Sequence, residues 1–499
     1  FVTRGPGATN ASIGVHVAMQ DSKPMVLFIG DVDRGMRDRE GFQEVDFQAM
    51  FTPLAKWAAR IDDPARIPEY VARAYAVAIN GRPGPVVLAL PEDMLVEQVA
   101  ASIAPRPFVT RTAQAVCPDA MQAMFDLIAD AASPVAIIGG AGWNAKAREY
   151  FQQFAERIGL PVATAFRRQD AIAPDSPVYA GNLGYGPGPK LVERVKNADL
   201  VIAVGARLGE ATTDGYEVPS LEHPGQVLVH IHPDPEELAR VYRTDLALCC
   251  SVDEFAECAA LWEDTAIIPF DAGAEAHREW QDWATPQPSD AAIDLAACVA
   301  AMRAALPADT IIANGAGNFA GWWHRYWRYA AYPGQLAPTC GAMGYGVPAA
   351  VARTRTPRWT GDAITAQILL VARVHELPAA ALGMAKAGFR HIAPRQCHIL
   401  ALLQIAQAPA AHGLAHRFLD LPTVAAQKTL TVADRLVLAG QPPVNDLLED
   451  GHRGAPMNSF ERAGTTRKAG APVWPCSPFR PCGSRSPRAF SARRRCSWC

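Results

Sequence analysis

Short apolar runs alternate with amphipathic stretches from Phe1 to about Arg353, the pattern of parallel α/β units. Met25-Val26-Leu27-Phe28-Ile29-Gly30 and Pro85-Val86-Val87-Leu88-Ala89-Leu90 read as buried strands, with helical spacing from Pro68 to Ile79 between them. A helix near Asp119–Ala131 leads into the strand Pro134–Ile138. Further strands follow at Pro161–Ala165, Asp199–Val204 and Gln226–Ile231, an interval that suggests a doubly wound sheet. A third segment opens with a helix at Ala291–Ala304 and a strand at Thr310–Ala313. The glycine run 341–346 then leads into a helix at Pro348–Ala352. Proline-bearing residues Ser102–Thr112 and the loose stretch Asp264–Asp290 read as linkers.

These segments predict an α/β protein of successive doubly wound domains: 1–105, 115–265 and the start of a third at 290–353. Residues 354–499 are expected to be an irregular, partly disordered tail. Beyond Arg353, Ala, Leu, His, Gln and Arg dominate, and from Arg467 onward no acidic residue occurs. A shifted reading frame near Arg353 would account for that change. Phe1 stands where an initiator methionine would, just ahead of a glycine turn, and the expectation is that preceding residues have been removed.

Composition narrows the function classes. Apolar residues make up 49% of 499, enough for several cores, and a net charge of −3 argues against a nucleic-acid polyelectrolyte. No charge-free apolar run reaches the roughly 20 residues of a membrane span, and no secretory signal opens the chain, so a cytoplasmic protein is expected. Cys117, Cys249, Cys250, Cys258, Cys298 and Cys340 read as buried reduced thiols. Cys496 and Cys499 have CxxC spacing, but no second pair stands at zinc-site distance, so no metal is expected there.

Candidate chemistry begins at Thr3-Arg4-Gly5-Pro6-Gly7-Ala8-Thr9-Asn10, a glycine-proline turn feeding a helix expected from about Ala11. Such a turn either joins strand to helix or brings backbone N–H groups close to a ligand. It is followed by Asp21-Ser22-Lys23-Pro24-Met25, Gly41-Phe42-Gln43-Glu44-Val45-Asp46, Gly81-Arg82-Pro83-Gly84-Pro85-Val86 and Leu90-Pro91-Glu92-Asp93. In order and spacing these motifs resemble the pyrimidine-binding domain of thiamine-diphosphate-dependent enzymes of the acetolactate synthase-like branch. Leu160–Thr164, Ala198–Arg207 and Val229–Glu236 are similar to that family's central domain. Asn314-Gly315-Ala316-Gly317-Asn318 and Gly341–Ala350 are similar to the start of its diphosphate-binding domain.

The resemblance implies a fold of pyrimidine-binding, central and diphosphate-binding domains, with thiamine diphosphate and Mg²⁺ as cofactors. It also implies decarboxylation of a pyruvate-like 2-oxo acid, and a site shared between two subunits of a homo-oligomer. By the same resemblance Pro6, Asn10 and Gln43 stand beside the pyrimidine, and Phe42 lies near the substrate pocket. Gly317, Asn318 and Gly341 belong to the diphosphate loops, and Met343 is the apolar wedge that bends the cofactor.

Two essentials of the family are not found. Its pyrimidine glutamate falls upstream of Phe1, so no catalytic residue is assigned. Its cation motif, Gly-Asp-Gly with a later asparagine, is met only by Gly361-Asp362-Ala363, and no asparagine follows before Asn445. The expectation is therefore an inactive chain that does not hold the cofactor, with no metal ligands assigned. Gly140-Ala141-Gly142-Trp143-Asn144-Ala145 fits GxGxxA, but the next strand ends at Phe166-Arg167-Arg168 rather than at an acidic residue, so FAD is not expected. His230-x-His232-x-Asp234 reads as structural, with Pro235 opening a helix. Trp322, Trp323, Tyr326, Trp327 and Tyr329 read as core or subunit contact. Where acetolactate synthases carry His-Gly-Thr and Arg-Phe-Asp-Asp, this chain has Gly181–Gly186 and Arg207–Glu210. A decarboxylase of an aryl or acyl 2-oxo acid, a non-catalytic partner of an active paralogue, and a pseudogene product therefore stay open.

Overall fold

The computed structural model describes residues 1–354 apart from 101, 108–110, 222–224, 263–268 and 290–293, together with the strand 363–365. All of them belong to one compact unit. Every sheet is parallel and flanked by helices, so the α/β class predicted from the alternating pattern is the fold.

The first segment runs α1 (Pro6–Gln20), β1 (Met25–Asp31), α2 (Phe47–Phe51), β2 (Trp57–Arg60), α3 (Ile67–Ile79), β3 (Pro85–Pro91) and α4 (Glu92–Leu95). Its sheet has the order β1-β3-β2, with central β3 almost wholly buried, as its unbroken apolar run requires. Val2 bridges to Ile29 ahead of α1. The helix starts at Pro6, earlier than Ala11, because a proline in the first turn has no N–H to lose and its φ already suits a helix.

The central segment contains α5 (Pro118–Asp130), β4 (Pro134–Ile138), α6 (Ala145–Ile158), β5 (Val162–Thr164), β6 (Tyr179–Asn182) and α7 (Pro189–Asn197). It continues through β7 (Leu200–Val204), β8 (Val227–Ile231), β9 (Leu246–Leu248), α8 (Val252–Leu261) and α9 (Ala272–Trp283). Strand order β6-β5-β4-β7-β8-β9 is doubly wound, with the chain reversing direction between β4 and β7. Helix α9 corrects the linker expected at Asp264–Asp290. Its inward face is Gly273, Ala276, His277 and Trp280, small and aromatic residues that carry little of the Leu/Ile/Val signal of a buried face.

The third segment contains α10 (Leu295–Ala305), β10 (Ile311–Ala313), α11 (Phe319–Tyr326), β11 (Gln335–Leu336), α12 (Gly346–Thr354) and β12 (Ala363–Thr365), with strand order β11-β10-β12. Strand β12 lies past the expected end of this segment at 353. The rest of the expected tail lies outside the described residues, as do Gly361 and Asp362. Trp323, Tyr326, Trp327 and Tyr329 are buried in one apolar cluster, as core residues.

The thiols depart from expectation. Cys250 is buried, but Cys117 and Cys249 are exposed and Cys258, Cys298 and Cys340 are half-buried, all unpaired. Cys117 precedes Pro118 at a helix start, and Cys249 sits in the loop after β9, so an apolar sequence context did not amount to burial.

A buried polar seam joins the first and central segments. Arg82 donates to Glu237 (2.7 Å), to the Met19 carbonyl (2.6 Å) and to Ser22 Oγ (3.0 Å). Glu237 also accepts from Arg240 at 2.9 Å and faces Arg207 at 3.8 Å. The Gly81-Arg82-Pro83-Gly84 turn thus places one guanidinium among the groups that fix the two segments together.

Candidate functional site

Two loops build the first face. Gly5 has φ +36°, and a Cβ there would stand 2.8 Å from Gln43 Cβ and 2.9 Å from the Gln43 carbonyl oxygen. Only glycine allows that approach without displacing Gln43, so the turn and the 41–46 loop are packed as a pair. The second loop is held by Glu44, whose carboxylate accepts from the N–H groups of Asp38 (2.7 Å) and Gly41 (2.8 Å). Those two bonds also hold the Glu44 carboxyl below its ordinary pKa. Pro6 and Asn10 are exposed on the first turns of α1, Gln43 is half-buried, and Phe42 is 79% exposed. An apolar ring left that open marks a face rather than a core position.

The second face is made of the loops after β10 and before α12. A Cβ on Gly315 would lie 3.2 Å from the Ala342 carbonyl oxygen and 3.3 Å from Gly344 N, so residues 314–318 and 341–344 are stacked closely. Gly317 and Asn318 are exposed and Gly341 half-buried, while Met343 is 86% exposed. Asn314 lies buried beneath them with its Oδ1 unpartnered. Near these loops the donors are amides and backbone groups. Among the described residues no three His, Cys, Asp or Glu side chains gather where they could hold a metal ion. Among the described residues these loops thus offer amide and backbone oxygens, with the Asp21 carboxylate already accepting from Thr339, and fewer free carboxylates than a hard divalent cation ordinarily takes.

Helix α1 separates the two faces. Pro6 and Asn10 occupy its first turns, whereas Asp21, just past its end, accepts from Thr339 N (2.8 Å) and Oγ1 (2.6 Å), close to Gly341. Fifteen residues at about 1.5 Å each make α1 roughly 20 Å long, with the first face at its start and Thr339 at its end. The sequence assignments are thus brought together as Pro6, Asn10, Phe42 and Gln43 on one side, and Gly317, Asn318, Gly341 and Met343 on the other.

Between the segments lies a crevice of about 880 Å³, lined from the first by His16, Gln20 and Asp21 and from the third by Gly317, Asn318 and Gly341. The central segment contributes Gly140 after β4 and Arg207 after β7, which places the crevice at the switch point of the sheet. Three arginines line it. Arg167 donates to the carbonyls of Pro338 and Gly315, Arg207 to that of Gln20 (3.1 Å), and Arg168 to that of Asp21 (3.5 Å). The last two cap the negative end of the α1 dipole. Nε of Arg167 and Nε2 of buried His324 have no hydrogen-bond partner, and Nε of Arg207 faces only Glu237 Oε2, at 3.8 Å. Burial, with Arg167 adding to it, pushes His324 down to about 3, so its ring is neutral at physiological pH. Against the arginines stand Asp21, 3.7 Å from Arg168, and Glu210, so the lining keeps a small cationic excess.

None of these arginines was singled out as a site residue. The one signal, Phe166-Arg167-Arg168 at a strand end, counted only against a dinucleotide. The GxGxxA turn is close-packed: a Cβ on Gly140 would fall 2.0 Å from the Gly205 carbonyl oxygen, and Asn144 caps α6. His232 Nδ1 accepts from Asp234 N at 3.1 Å, and His230 Nε2 meets the Ala206 carbonyl at 2.8 Å, so the pair is structural. The helix expected at Pro235 is only a turn, closed by Glu236 N donating to Asp234 Oδ1 at 3.0 Å.

Comparison with known proteins defines the class first. Residues 1–50 match the N-terminal TPP binding domain of thiamine pyrophosphate enzymes, and residues 121–258 match their central domain. The chain is 31% identical over 363 residues to the acetolactate synthase large subunit of Parasynechococcus marenigrum, covering 70% of this chain and 58% of that protein. It is 27% identical over 380 residues to the acetolactate synthase isozyme 2 large subunit of Escherichia coli, covering 76% and 68%. It is also 27% identical over 405 residues to the chloroplastic acetolactate synthase 1 of Zea mays, covering 76% and 62%. Its N-terminal and central domains are those of the thiamine-pyrophosphate-dependent, acetolactate synthase-like family. The chain spans 58% and 44% of the first two relatives' lengths.

Proposed function

We propose that the chain is built for thiamine-diphosphate-dependent decarboxylation of a pyruvate-like 2-oxo acid and transfer of the product to a second carbonyl. This is an acetolactate synthase-like transferase and lyase reaction of cytoplasmic branched-chain amino acid biosynthesis. We also propose that this polypeptide alone does not turn over. The observation that carries the reading is the Gly5–Gln43 packing, which sets Pro6, Asn10, Gln43 and Phe42 on one open face. The cofactor, when bound, supplies carbanion stabilisation. Pro6, Asn10 and Gln43 would flank its pyrimidine, Phe42 the substrate, and Met343 would prop the bend. Gly317, Asn318 and Gly341 would line its diphosphate.

The proposed inactivity rests on the diphosphate side. Gly361-Asp362-Ala363 replaces the family's cation motif and no asparagine follows before Asn445, so Mg²⁺ lacks its ligands and no step is routed through it. The separation of the two faces along α1 supports a site completed by a second subunit, hence a homo-oligomer or a complex with a paralogue. The run Phe166-Arg167-Arg168 after β5, without an acidic partner for a ribose, supports the absence of FAD. The Gly181–Gly186 and Arg207–Glu210 stretches favour a second reading, a 2-oxo acid decarboxylase that releases aldehyde.

Purified chain given pyruvate, thiamine diphosphate and Mg²⁺ should form neither acetolactate nor aldehyde above the protein-free rate, while sedimenting as a dimer or larger. A monomer that makes acetolactate would overturn both proposals. Aldehyde alone would move the assignment to the decarboxylase.

A further inference from the structure

The turn 338–341, which opens the second face, is gripped from two sides. Gly341 N donates to the Pro338 carbonyl (3.0 Å), and that same carbonyl accepts from Arg167 of the central segment. One residue on, Thr339 donates from N (2.8 Å) and from Oγ1 (2.6 Å) to a single carboxylate oxygen of Asp21, just past the end of α1. Arg167 reaches further, since its other terminal nitrogen donates to the Gly315 carbonyl (3.4 Å) in the neighbouring loop. One guanidinium thus holds both loops of that face, and one carboxylate holds the start of the loop that carries Met343.

Both grips are buried. Asp21 and Arg167 are each 5% exposed, so water competes little for these bonds. Arg167 keeps a left-handed backbone, φ +59°, which a residue with a side chain adopts only where its surroundings over-determine it. Arg168 donates to the Arg167 carbonyl (2.9 Å) and stands 3.7 Å from the Asp21 carboxylate, so the two grips brace each other. Gly317, Asn318 and Met343 are themselves exposed, which leaves packing little part in holding them.

We propose that Asp21 and Arg167 are positioning residues for the diphosphate face: through Thr339, Pro338 and Gly315 they fix the loops that carry Gly317, Asn318, Gly341 and Met343. The link to a diphosphate rests on the thiamine reading above.

Hydrogen exchange of the full chain, followed by mass spectrometry on peptides covering 313–321, 338–345 and strand β7, tests the grips without any cofactor. Asp21→Ala should speed exchange in 338–345 at least about tenfold, the least expected from losing hydrogen bonds to a charged group, and leave β7 unchanged. Arg167→Met should speed exchange in both 338–345 and 313–321, again with β7 unchanged. Asp21→Asn removes the charge but keeps the acceptor oxygen, and should exchange as the parent does. Loops unchanged in Asp21→Ala and Arg167→Met, an Asp21→Asn variant as fast as Asp21→Ala, or a rise that includes β7 would overturn the proposal. The last result would mean that the two groups hold the fold as a whole rather than the loops. Since no cofactor enters the measurement, its failure strikes the positioning role alone, whereas a failure of the thiamine reading would leave the loop pattern as stated.

Discussion

Replacing Arg82 by methionine is expected to lower stability by about 3 kcal/mol, the low end of the cost of breaking a buried ion pair, because Glu237 keeps Arg240 and Arg207. Arg82 and Glu237 have side-chain exposures of 7% and 5%, so water cannot take the place of the lost partner. The change also leaves the Met19 carbonyl and Ser22 without this donor, at the seam that holds α1 against the central segment. Arg66→Met is the control. Its pair with Glu69 is exposed on both sides, and its loss should cost less than about 1 kcal/mol. Urea unfolding of the two variants would show the contrast, and equal midpoints would mean that the seam does not hold the segments.

Acidification should destabilise the chain through its buried imidazoles. Burial pushes His324 down to about 3, and burial with neighbouring His230 pushes His232 down to about 4. An unfolded histidine titrates near 6.5. Below that value the unfolded chain takes up protons that the folded chain refuses, so stability falls as pH falls from about 6.5 towards 4. Above about pH 7 both states are neutral and the contribution vanishes. Linkage gives a loss of about 2 kcal/mol per histidine by pH 5, or about 4 kcal/mol for the two. Urea unfolding at pH 7 and pH 5, repeated on a His232→Gln/His324→Gln variant, should show that loss in the parent and less of it in the variant. A parent equally stable at both values would show that the rings titrate normally in the fold.

The buried centre of each sheet was legible because strands covered on both faces read as unbroken apolar runs. Strands β3, β4, β7, β8 and β10 fall within a residue or so of their expected spans, as does the edge strand β1, whose run is equally apolar. Other outlying strands were not legible. Trp57–Arg60, Tyr179–Asn182, Leu246–Leu248 and Gln335–Leu336 are two to four residues long, and all but Leu246–Leu248 carry Arg, Gly, Asn or Gln, so no long run distinguishes them from a loop. Helix α9 was hidden for a related reason, since its buried face is built on Gly273, Ala276 and His277.

The candidate site divides in the same way. Pro6, Asn10 and Gln43 could be found because the Gly5 turn and the Gly41 loop are local signatures. The arginine-lined crevice could not, because Arg167, Arg168 and Arg207 are single polar residues at strand ends, brought together by winding order. The spacing between the two faces was equally invisible, since it depends on which end of α1 meets Thr339.

Calorimetric titration of the purified chain with thiamine diphosphate in the presence of Mg²⁺ examines the half-complete cofactor site most directly. The expected trace is no saturable heat at micromolar cofactor, with or without the metal. Stoichiometric, Mg²⁺-dependent binding in that range would mean that oxygen ligands for the cation come from a part of the chain not assigned to it, and the proposed inactivity would be wrong.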